Sequence, residues 1–399
     1  MNLPTRPAPA RPWNAWKSWL LLGVAIAGLA AAAPTVSASG DPDPFAVQDA
    51  RAKLIEKFAN TAYYPADTFK LDDLPPYVPE QKVSGKLRIW GSDMFGGAGL
   101  KADIEGGFRK FQPDVTFEHN LKTPSLALVG LLSGDADIGP TRRWSWEDLL
   151  AYERIYNHDP LVIEGMTGWA VNPPFAIMVN KANPVAGLSM RQLDGVFGAG
   201  RTGGWIGTAW HPEFARGPEG NIRTWGQVGL TGEWKDAPIN PYVYSIRCMF
   251  GPRFSDDVLK GSDQWNERIR QYFNIAQPDG TLLTMDQQLA RALSGDRFGI
   301  SFFSSLRGLD PGIRAVGIAA VDGGPFVGIT LQTVRSHAYP MDDWMYFYIN
   351  RKPGTPLDPK VREFMRFLLS REAQEAVARD GKMLPLTAEM IRTERRKLE

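Results

Sequence analysis

Apolar and polar positions alternate along the chain in a way that predicts strands and helices from residue 86 onward. Apolar runs at residues 87–90, 115–117 and 137–139 have the length of buried strands. After the first run, apolar residues spaced by four, four and three lie on one face of a predicted helix: Leu100, Ile104, Phe108 and Phe111. Ser125 is placed to cap a second helix over residues 126–132. Strands that alternate with helices predict a parallel sheet covered on both faces.

The second half of the chain repeats this alternation. Residues 175–179 predict a strand, and Ser189 is placed to cap the helix that follows it. Another βα pattern runs from residue 241 to residue 302, and residues 345–349 predict a strand before two terminal amphipathic helices. If those helices return to the first unit, the chain crosses twice between two units, which makes a hinged cleft. We therefore expect an α/β protein with two Rossmann-like lobes joined by two hinge crossings.

Two segments lie outside this alternation. Residues 39–84 precede it, with helical spacing at residues 47–58 and a proline-bearing stretch at residues 74–79 that predicts an extended linker. Residues 200–221, rich in glycine and tryptophan, predict an irregular insertion. Its tryptophans and the nearby Trp225 leave two interpretations open, a stacking surface for sugars or bases and ordinary core filling.

The first 38 residues have the pattern of an export signal. Residues 20–33 are an uncharged apolar run, shorter than the about 20 residues that span a bilayer, and small residues precede a predicted cleavage after Ala38. We expect a periplasmic protein, with an uncleaved anchor as the alternative. The single cysteine, Cys248, lies far from the cleavage site, so we expect neither a lipid anchor nor an intramolecular disulfide.

Charge and histidine content exclude several classes of function. The chain carries 45 basic and 44 acidic residues. Removal of the signal takes away three basic residues and no acidic one, which leaves a nearly neutral protein. Near neutrality argues against nucleic acid as a partner. The four histidines have no metal-ligand spacing, so we expect no metal and no cofactor.

Residues 137–143 suggest an anion site. Pro140 is expected to end the strand in a turn that presents Thr141 and Arg142, and a guanidinium matches the oxygens of carboxylate, phosphate or sulfate. Loops at residues 91–97 and 123–125 should lie at the same edge of the parallel sheet, where helix N-termini favour anions. The alternative is a solvated surface turn.

With these features the chain resembles the phosphate-binding proteins of ABC importers, in the type II periplasmic binding-protein superfamily. The motifs that carry the resemblance span residues 86–385 and stand at residues 91–93, 137–139, 180–185, 188–198, 222–229, 237–239 and 339–340. The resemblance implies a signal peptide (1–38), an extension (39–84), lobe I (85–178 and 337–399) and lobe II (179–336).

The resemblance also implies a set of oxyanion ligands: Ser92, Asp93, Ser125, Thr141, Arg142 and Arg247. The sequence departs from the family pattern at three places. Met94 stands where a threonine is common, Arg142 where well-known members have an aspartate, and residues 250–252 where they have serine-glycine-threonine. Asp93 is then the nearby candidate to accept a proton from hydrogen phosphate, or it caps its own loop.

The function implied is non-enzymatic capture of phosphate or a related oxyanion in the inter-lobe cleft, by a monomer that delivers it to an inner-membrane ABC permease. One alternative is a binding fold reused as an envelope sensor or interaction module with an altered or lost ligand. Another is a phosphatase-like enzyme, although no nucleophile elbow, P-loop or zinc signature is present.

Overall fold

A computed structural model describes residues 44–58, 60–95, 99–304 and 310–399. The predicted signal peptide and its cleavage site lie outside these residues. Within the described ranges, none of the helices combines the length and the apolar character needed to cross a membrane.

The α-helices of the described residues follow in chain order. They are α1 (Pro44–Phe58), α2 (Leu100–Phe111), α3 (Leu126–Ser133), α4 (Trp146–Tyr156), α5 (Met190–Phe197), α6 (Phe250–Val258), α7 (Met285–Ser294), α8 (Leu331–Arg335), α9 (Pro359–Leu368), α10 (Arg371–Asp380) and α11 (Ala388–Arg396). Both the helix predicted over residues 47–58 and the one carrying Leu100, Ile104 and Phe108 are confirmed.

The strands divide between two larger sheets and several two-stranded ladders. They are β1 (Gly85–Trp90), β2 (Val115–Asn120), β3 (Gly139–Thr141), β4 (Leu161–Gly168), β5 (Ala176–Asn180), β6 (Gly187–Ser189), β7 (Gly204–Ile206), β8 (Ala209–His211), β9 (Asn240–Tyr244), β10 (Arg270–Tyr272), β11 (Ile275–Ala276), β12 (Leu282–Leu283), β13 (Gly299–Phe303), β14 (Ile313–Ala315), β15 (Gly317–Ala319), β16 (Trp344–Ile349) and β17 (Met383–Leu384).

Lobe I is built on the sheet order β2-β1-β3-β16-β4-β17. Strands β1 and β2 are parallel in register, and a parallel bridge between Ile89 and Ile138 joins β1 to the start of β3. Strand β16 pairs antiparallel with both β3 and β4. The parallel first half of this sheet is therefore confirmed, and a strand from far along the chain completes it.

Lobe II repeats the same plan in the order β10-β9-β13-β5-β14. Here β9, β10 and β13 are parallel, and β5 is antiparallel to β13 and β14. The two sheets share one plan. In lobe I, β16 enters from a crossing and lies between β3 and β4, after β2, β1 and β3; in lobe II, β5 enters from a crossing and lies between β13 and β14, after β10, β9 and β13. This is the predicted type II periplasmic binding-protein fold: two α/β lobes joined by two crossings of the chain.

The two crossings run beside each other. One connects β4 to β5 and the other leads from α8 into β16. The backbone amide of Phe175 donates to the Met341 carbonyl at 3.0 Å, and the Tyr339 hydroxyl donates to the Phe175 carbonyl at 2.7 Å. The lobe boundary predicted at residue 178 falls inside β5, and the lobe boundary predicted at residue 337 falls just after α8.

Each lobe has its own apolar core. Phe108, Phe347 and Phe364 are fully buried in lobe I, and Phe254 and Phe302 stack at 4.0 Å between ring centroids in lobe II. Two cores that do not merge are what a hinged pair of lobes requires, since each lobe keeps its packing when the cleft between them changes.

The expectation that the chain turns at Pro140 is wrong. Pro140 lies in the middle of β3, opposite Phe347 of β16. The strand tolerates Pro140 because the contact with the β1 side uses its carbonyl and not an N–H group. The Pro140 carbonyl accepts a hydrogen bond from the Ser92 amide at 2.8 Å. The third strand therefore runs on through Thr141.

Two further expectations about local structure need correction. Ser125 stands at the N-cap of α3, but its φ and ψ of −64° and −22° are helical and its side chain caps no amide, whereas Ser189 forms the expected capping box with Gln192. The stretch at residues 74–79 is not a free linker. Tyr77 is buried in the lobe I core, and its hydroxyl donates to Glu363 at 2.6 Å.

Candidate functional site

The three loops predicted to converge are hydrogen-bonded to one another. Besides the bond between the Ser92 amide and Pro140, the Trp90 amide donates to Ile138 at 3.2 Å. The Thr141 hydroxyl donates to the Pro124 carbonyl at 3.1 Å, which ties the third loop to the start of α3. Gly91 permits the first contact, because a Cβ there would collide with the Pro140 carbonyl oxygen.

A cavity of about 210 Å³ lies where these loops face lobe II. Such a volume is below the roughly 300–1,000 Å³ of drug-sized sites, which favours a small ligand. Lobe I contributes Met94, Arg142, Ala170, Asn172, Pro173 and Asp343; lobe II contributes Met249, Phe250, Arg253, Asp286 and Ser304; and Arg51 of α1 completes the lining. Charged groups thus reach the cavity from both lobes and from the extension.

Arg142 is the predicted ligand that reaches the cavity. Its side chain is partly buried and makes no hydrogen bond or ion pair with any described residue. A guanidinium that is half removed from water, with five donors available, is a strong site for an oxyanion. The structure thus favours a binding role for Arg142 over the solvated turn.

Arg253, on α6, is a second cavity arginine, and its partners are protein groups. Its guanidinium donates to the Pro173 carbonyl at 2.6 Å, lies 3.2 Å from Asp343 and stacks over the Phe175 ring at 4.1 Å. These partners come from lobe I and the first crossing. Arg253 therefore holds α6 of lobe II against the crossings, and one face of it remains at the cavity.

Asp343 is the buried carboxylate of the cavity. One oxygen, Oδ2, faces Arg253, and the other, Oδ1, has no hydrogen-bond partner among the described residues. Burial raises the pKa of Asp343 above its usual range, against the opposing effect of Arg253 and Arg143. An unsatisfied buried carboxylate oxygen is costly unless a donor occupies the space beside it. The ionised carboxylate of Asp343 can therefore accept a hydrogen bond from a ligand that carries a proton, such as hydrogen phosphate.

A second pair of charges joins the lobes behind the cavity. Arg143 of lobe I is ion-paired with Asp257 of α6, and this carboxylate holds the pKa of Arg143 well above its usual value. In the same helix, burial raises the pKa of Asp256 to about 7, although Arg143 lowers it. The lobe interface is thus electrostatic as well as apolar.

The insertion at residues 200–221 reaches across to lobe I. It contains the hairpin β7–β8, in which Trp205 stacks on Trp146 of α4 with ring centroids 4.6 Å apart and planes at 7°. Thr208 in the turn donates to Glu153 at 2.8 Å. We call residues 204–211 the latch hairpin. Its tryptophans pack on protein rings and Trp225 is fully buried, so the structure favours packing roles over an open stacking surface.

The remaining predicted ligands are not among the residues that line the cavity. Ser92 is buried, and its hydroxyl oxygen accepts from the Met94 amide at 3.2 Å. Thr141 is buried and uses its proton on Pro124. Asp93 is partly exposed and Ser125 exposed, and neither lines the cavity. Arg247 is exposed in the turn before α6.

Sequence reasoning missed Arg253, Asp343 and Arg51. Arg253 follows Arg247 by six residues, and its spacing of four from Asp257 was the available signal for an ion pair on one helix face. Asp343 stands just before the predicted strand at residues 345–349, at the return from lobe II. Nothing in the sequence connects Arg51 with the cleft, because the docking of α1 is a tertiary contact.

Two α/β lobes of this topology thus enclose a polar cleft. The chain is similar to the phosphate-binding protein PstS from two strains of Pseudomonas aeruginosa, each 28% identical over 320 residues, or 79% of this chain and 88% of the relative. The resemblance predicted from the sequence is thereby confirmed. No protein-family model matches the chain.

The chain is also similar to solved structures of phosphate-binding proteins. PstS from Borrelia burgdorferi is 13% identical, with a TM-score of 0.48 over 77% of this chain and 100% of that one. An ABC-type phosphate transport receptor from Vibrio cholerae is 17% identical, with a TM-score of 0.46 over 75% of this chain and 100% of that one.

Proposed function

We propose that the protein is a periplasmic solute-binding protein that captures phosphate or a related oxyanion in the inter-lobe cavity. It acts as a monomer without enzymatic activity and delivers the ligand to an inner-membrane ABC permease. The observation that carries the proposal is Arg142: its guanidinium lines a small cavity between the lobes and is paired with no described protein group. The similarity to phosphate-binding proteins over 79% of the chain supports the same function.

Capture follows from the placement of donors. Arg142 supplies a fork of N–H groups from lobe I, and Arg253 presents its free face from lobe II. A small oxyanion between them is attracted by both lobes, so its binding stabilises the closed cleft. The other predicted ligands do not line the cavity in this structure. We propose that they complete the shell when the lobes close about the crossings: Ser92, Asp93, Ser125, Thr141 and Arg247.

Asp343 gives the site a basis for selecting phosphate. Phosphate at neutral pH carries an O–H group that can donate a hydrogen bond to a carboxylate, whereas sulfate carries none and is repelled. The free Oδ1 of Asp343 takes the acceptor role that was considered for Asp93. Because Arg142 lines the same cavity, the site combines an unpaired cation with a buried acceptor.

Isothermal titration of the exported protein with phosphate, sulfate and molybdate tests this function. We expect heat release with phosphate and a much weaker response to sulfate. Arg142→Ala removes a charge-assisted interaction worth about 1.5–3 kcal/mol, so the Kd for phosphate rises about 10- to 150-fold. Arg268→Gln is the matched control, because Arg268 is a solvent-exposed arginine outside the cavity.

The outcomes separate the competing functions. If the native protein releases no heat with any of the three anions, oxyanion capture is wrong and the reused interaction module is favoured. Equal weakening by Arg142→Ala and Arg268→Gln assigns the effect to net charge and removes Arg142 from the site. Release of phosphate from a generic ester, measured beside the titration, favours the phosphatase-like enzyme instead.

A further inference from the structure

Helix α1 of the N-terminal extension docks on lobe II. It packs against the two-stranded ladder of β11 and β12, which follows β10 and precedes α7 along the chain. Val47, Ala50 and Leu54 are spaced as one face of a helix, and Ala50 is only 4% exposed, so we assign this face as the docking stripe. Most other side chains of α1 are exposed. The helix is therefore held by a narrow apolar contact, and it is not part of either core.

Arg51 follows the buried Ala50 and lies on the side of α1 that faces the cavity. Its guanidinium lines the cavity with Arg142 and Arg253, and it makes no hydrogen bond or ion pair with any described residue. An exposed arginine at the edge of a cleft has no structural partner to hold it there. Its position is set by the docking of α1 alone.

The charge of the cavity depends on this one residue. The charged lining consists of Arg51, Arg142, Arg253, Asp286 and Asp343. Without Arg51 the two remaining arginines are matched by the two aspartates, so the lining has no net charge. With Arg51 the lining carries one positive charge, which is the sign that an anion requires.

We infer that α1 is a lid on the oxyanion site and that Arg51 is a ligand-binding residue supplied by this lid. The inference rests on the proposed function, because the ligand of Arg51 is the same phosphate or related oxyanion. With α1 docked on β11 and β12, Arg51 adds donors to those of Arg142 and covers one side of the cavity. Release of the anion then requires α1 to leave lobe II, so the lid controls the dissociation rate.

Two substitutions in α1 test the lid with phosphate as the probe. Arg51→Ala removes the donor and leaves the docking stripe intact. Ala50→Glu keeps Arg51 but places a charge in the buried contact, which undocks the helix. We expect either change to raise both the Kd for phosphate and its dissociation rate by about tenfold or more. Lys57→Ala is the matched control, since Lys57 is an exposed cation of the same helix outside the cavity lining.

Titration calorimetry gives the Kd. The dissociation rate is measured by stopped flow, in which excess unlabelled protein traps the phosphate released from a fluorescently labelled sample. Circular dichroism checks that each variant is folded. If the native protein binds phosphate and Arg51→Ala binds with unchanged Kd and rate, the lid inference is overturned while the proposed function stands. An unchanged dissociation rate in Ala50→Glu likewise overturns it. Failure of the native protein to bind phosphate, sulfate or molybdate refutes the proposed function itself.

Discussion

The latch hairpin gives the most direct test of how the two lobes are held together. Replacing Trp205 by alanine removes the ring that stacks on Trp146 at 4.6 Å. A stacked aromatic pair contributes about 0.5–1.5 kcal/mol beyond the area it buries. The bond from Thr208 to Glu153, with an energy of about 0.5–1 kcal/mol at this partly exposed site, depends on the same hairpin. We therefore expect Trp205→Ala to weaken closure by roughly 1–2 kcal/mol.

The consequence for binding follows from the linkage between closure and ligand. If phosphate binds between closed lobes, a loss of 1–2 kcal/mol in closure raises its Kd about 5- to 30-fold. The assay is a double-mutant cycle with Trp146→Ala, Trp205→Ala and the double variant, measured by phosphate titration. Small-angle scattering supplies a second readout, because a weakened latch increases the radius of gyration.

The cycle isolates the stack because each single variant removes the same contact. We expect a coupling of about 0.5–1.5 kcal/mol between Trp146 and Trp205. A coupling within about 0.3 kcal/mol of zero means that the effect of the double variant is the sum of the two single effects. That result would refute the assignment of the hairpin as a latch.

Two further predictions concern stability. Tyr77→Phe removes the donor to Oε2 of the buried Glu363 carboxylate, while the Glu80 amide still donates to Oε1. Urea denaturation should show a loss of about 1.5–3 kcal/mol in the free energy of unfolding, against less than about 0.5 kcal/mol for Val78→Ala at the exposed neighbouring position. Equal losses would return this segment to the linker interpretation. Burial and the nearby Glu394 raise the pKa of Glu164 from 4.5 to about 8. The stability that the protonated Glu164 contributes is therefore fully present below pH 4.5 and is lost as the pH rises through 8. In that window the free energy of unfolding of Glu164→Gln should rise relative to that of the native protein by up to about 1.4 kcal/mol per pH unit. A constant difference between pH 5 and pH 9 would contradict the burial of this carboxyl.

The elements of the fold were predictable where a single periodicity dominates. The helix face of Leu100, Ile104 and Phe108 and the capping box of Ser189 with Gln192 depend on residues a few positions apart. Pro140 was misjudged for a related reason. Its effect on a strand depends on which neighbour its missing N–H would face, and that neighbour, β1, lies some fifty residues earlier.

The site was predictable only in part. The residue types and the loops were visible in the sequence, and the structure brings the loops of Ser92, Pro124 and Thr141 into contact. Which side chains line the cavity was not. Arg247 carried the family resemblance, yet Arg253, one turn and a half further along, is the residue whose guanidinium reaches the cleft from α6.

The sequence by itself determined the order of strands and helices, the two-lobed class and the presence of an arginine at the end of the third strand, because these follow from local periodicity and from motifs along the chain. Only the tertiary structure decided the pairing of charges. Asp343 meets Arg253 across ninety residues, Arg143 meets Asp257 across more than a hundred, and Arg51 reaches the cavity through a helix outside both lobes. The physical reason is that Coulomb and hydrogen-bond energies depend on distance in space and on burial. Arg142 remains available for an anion because the fold provides partners for Arg143 and Arg253, which no local pattern in the sequence specifies.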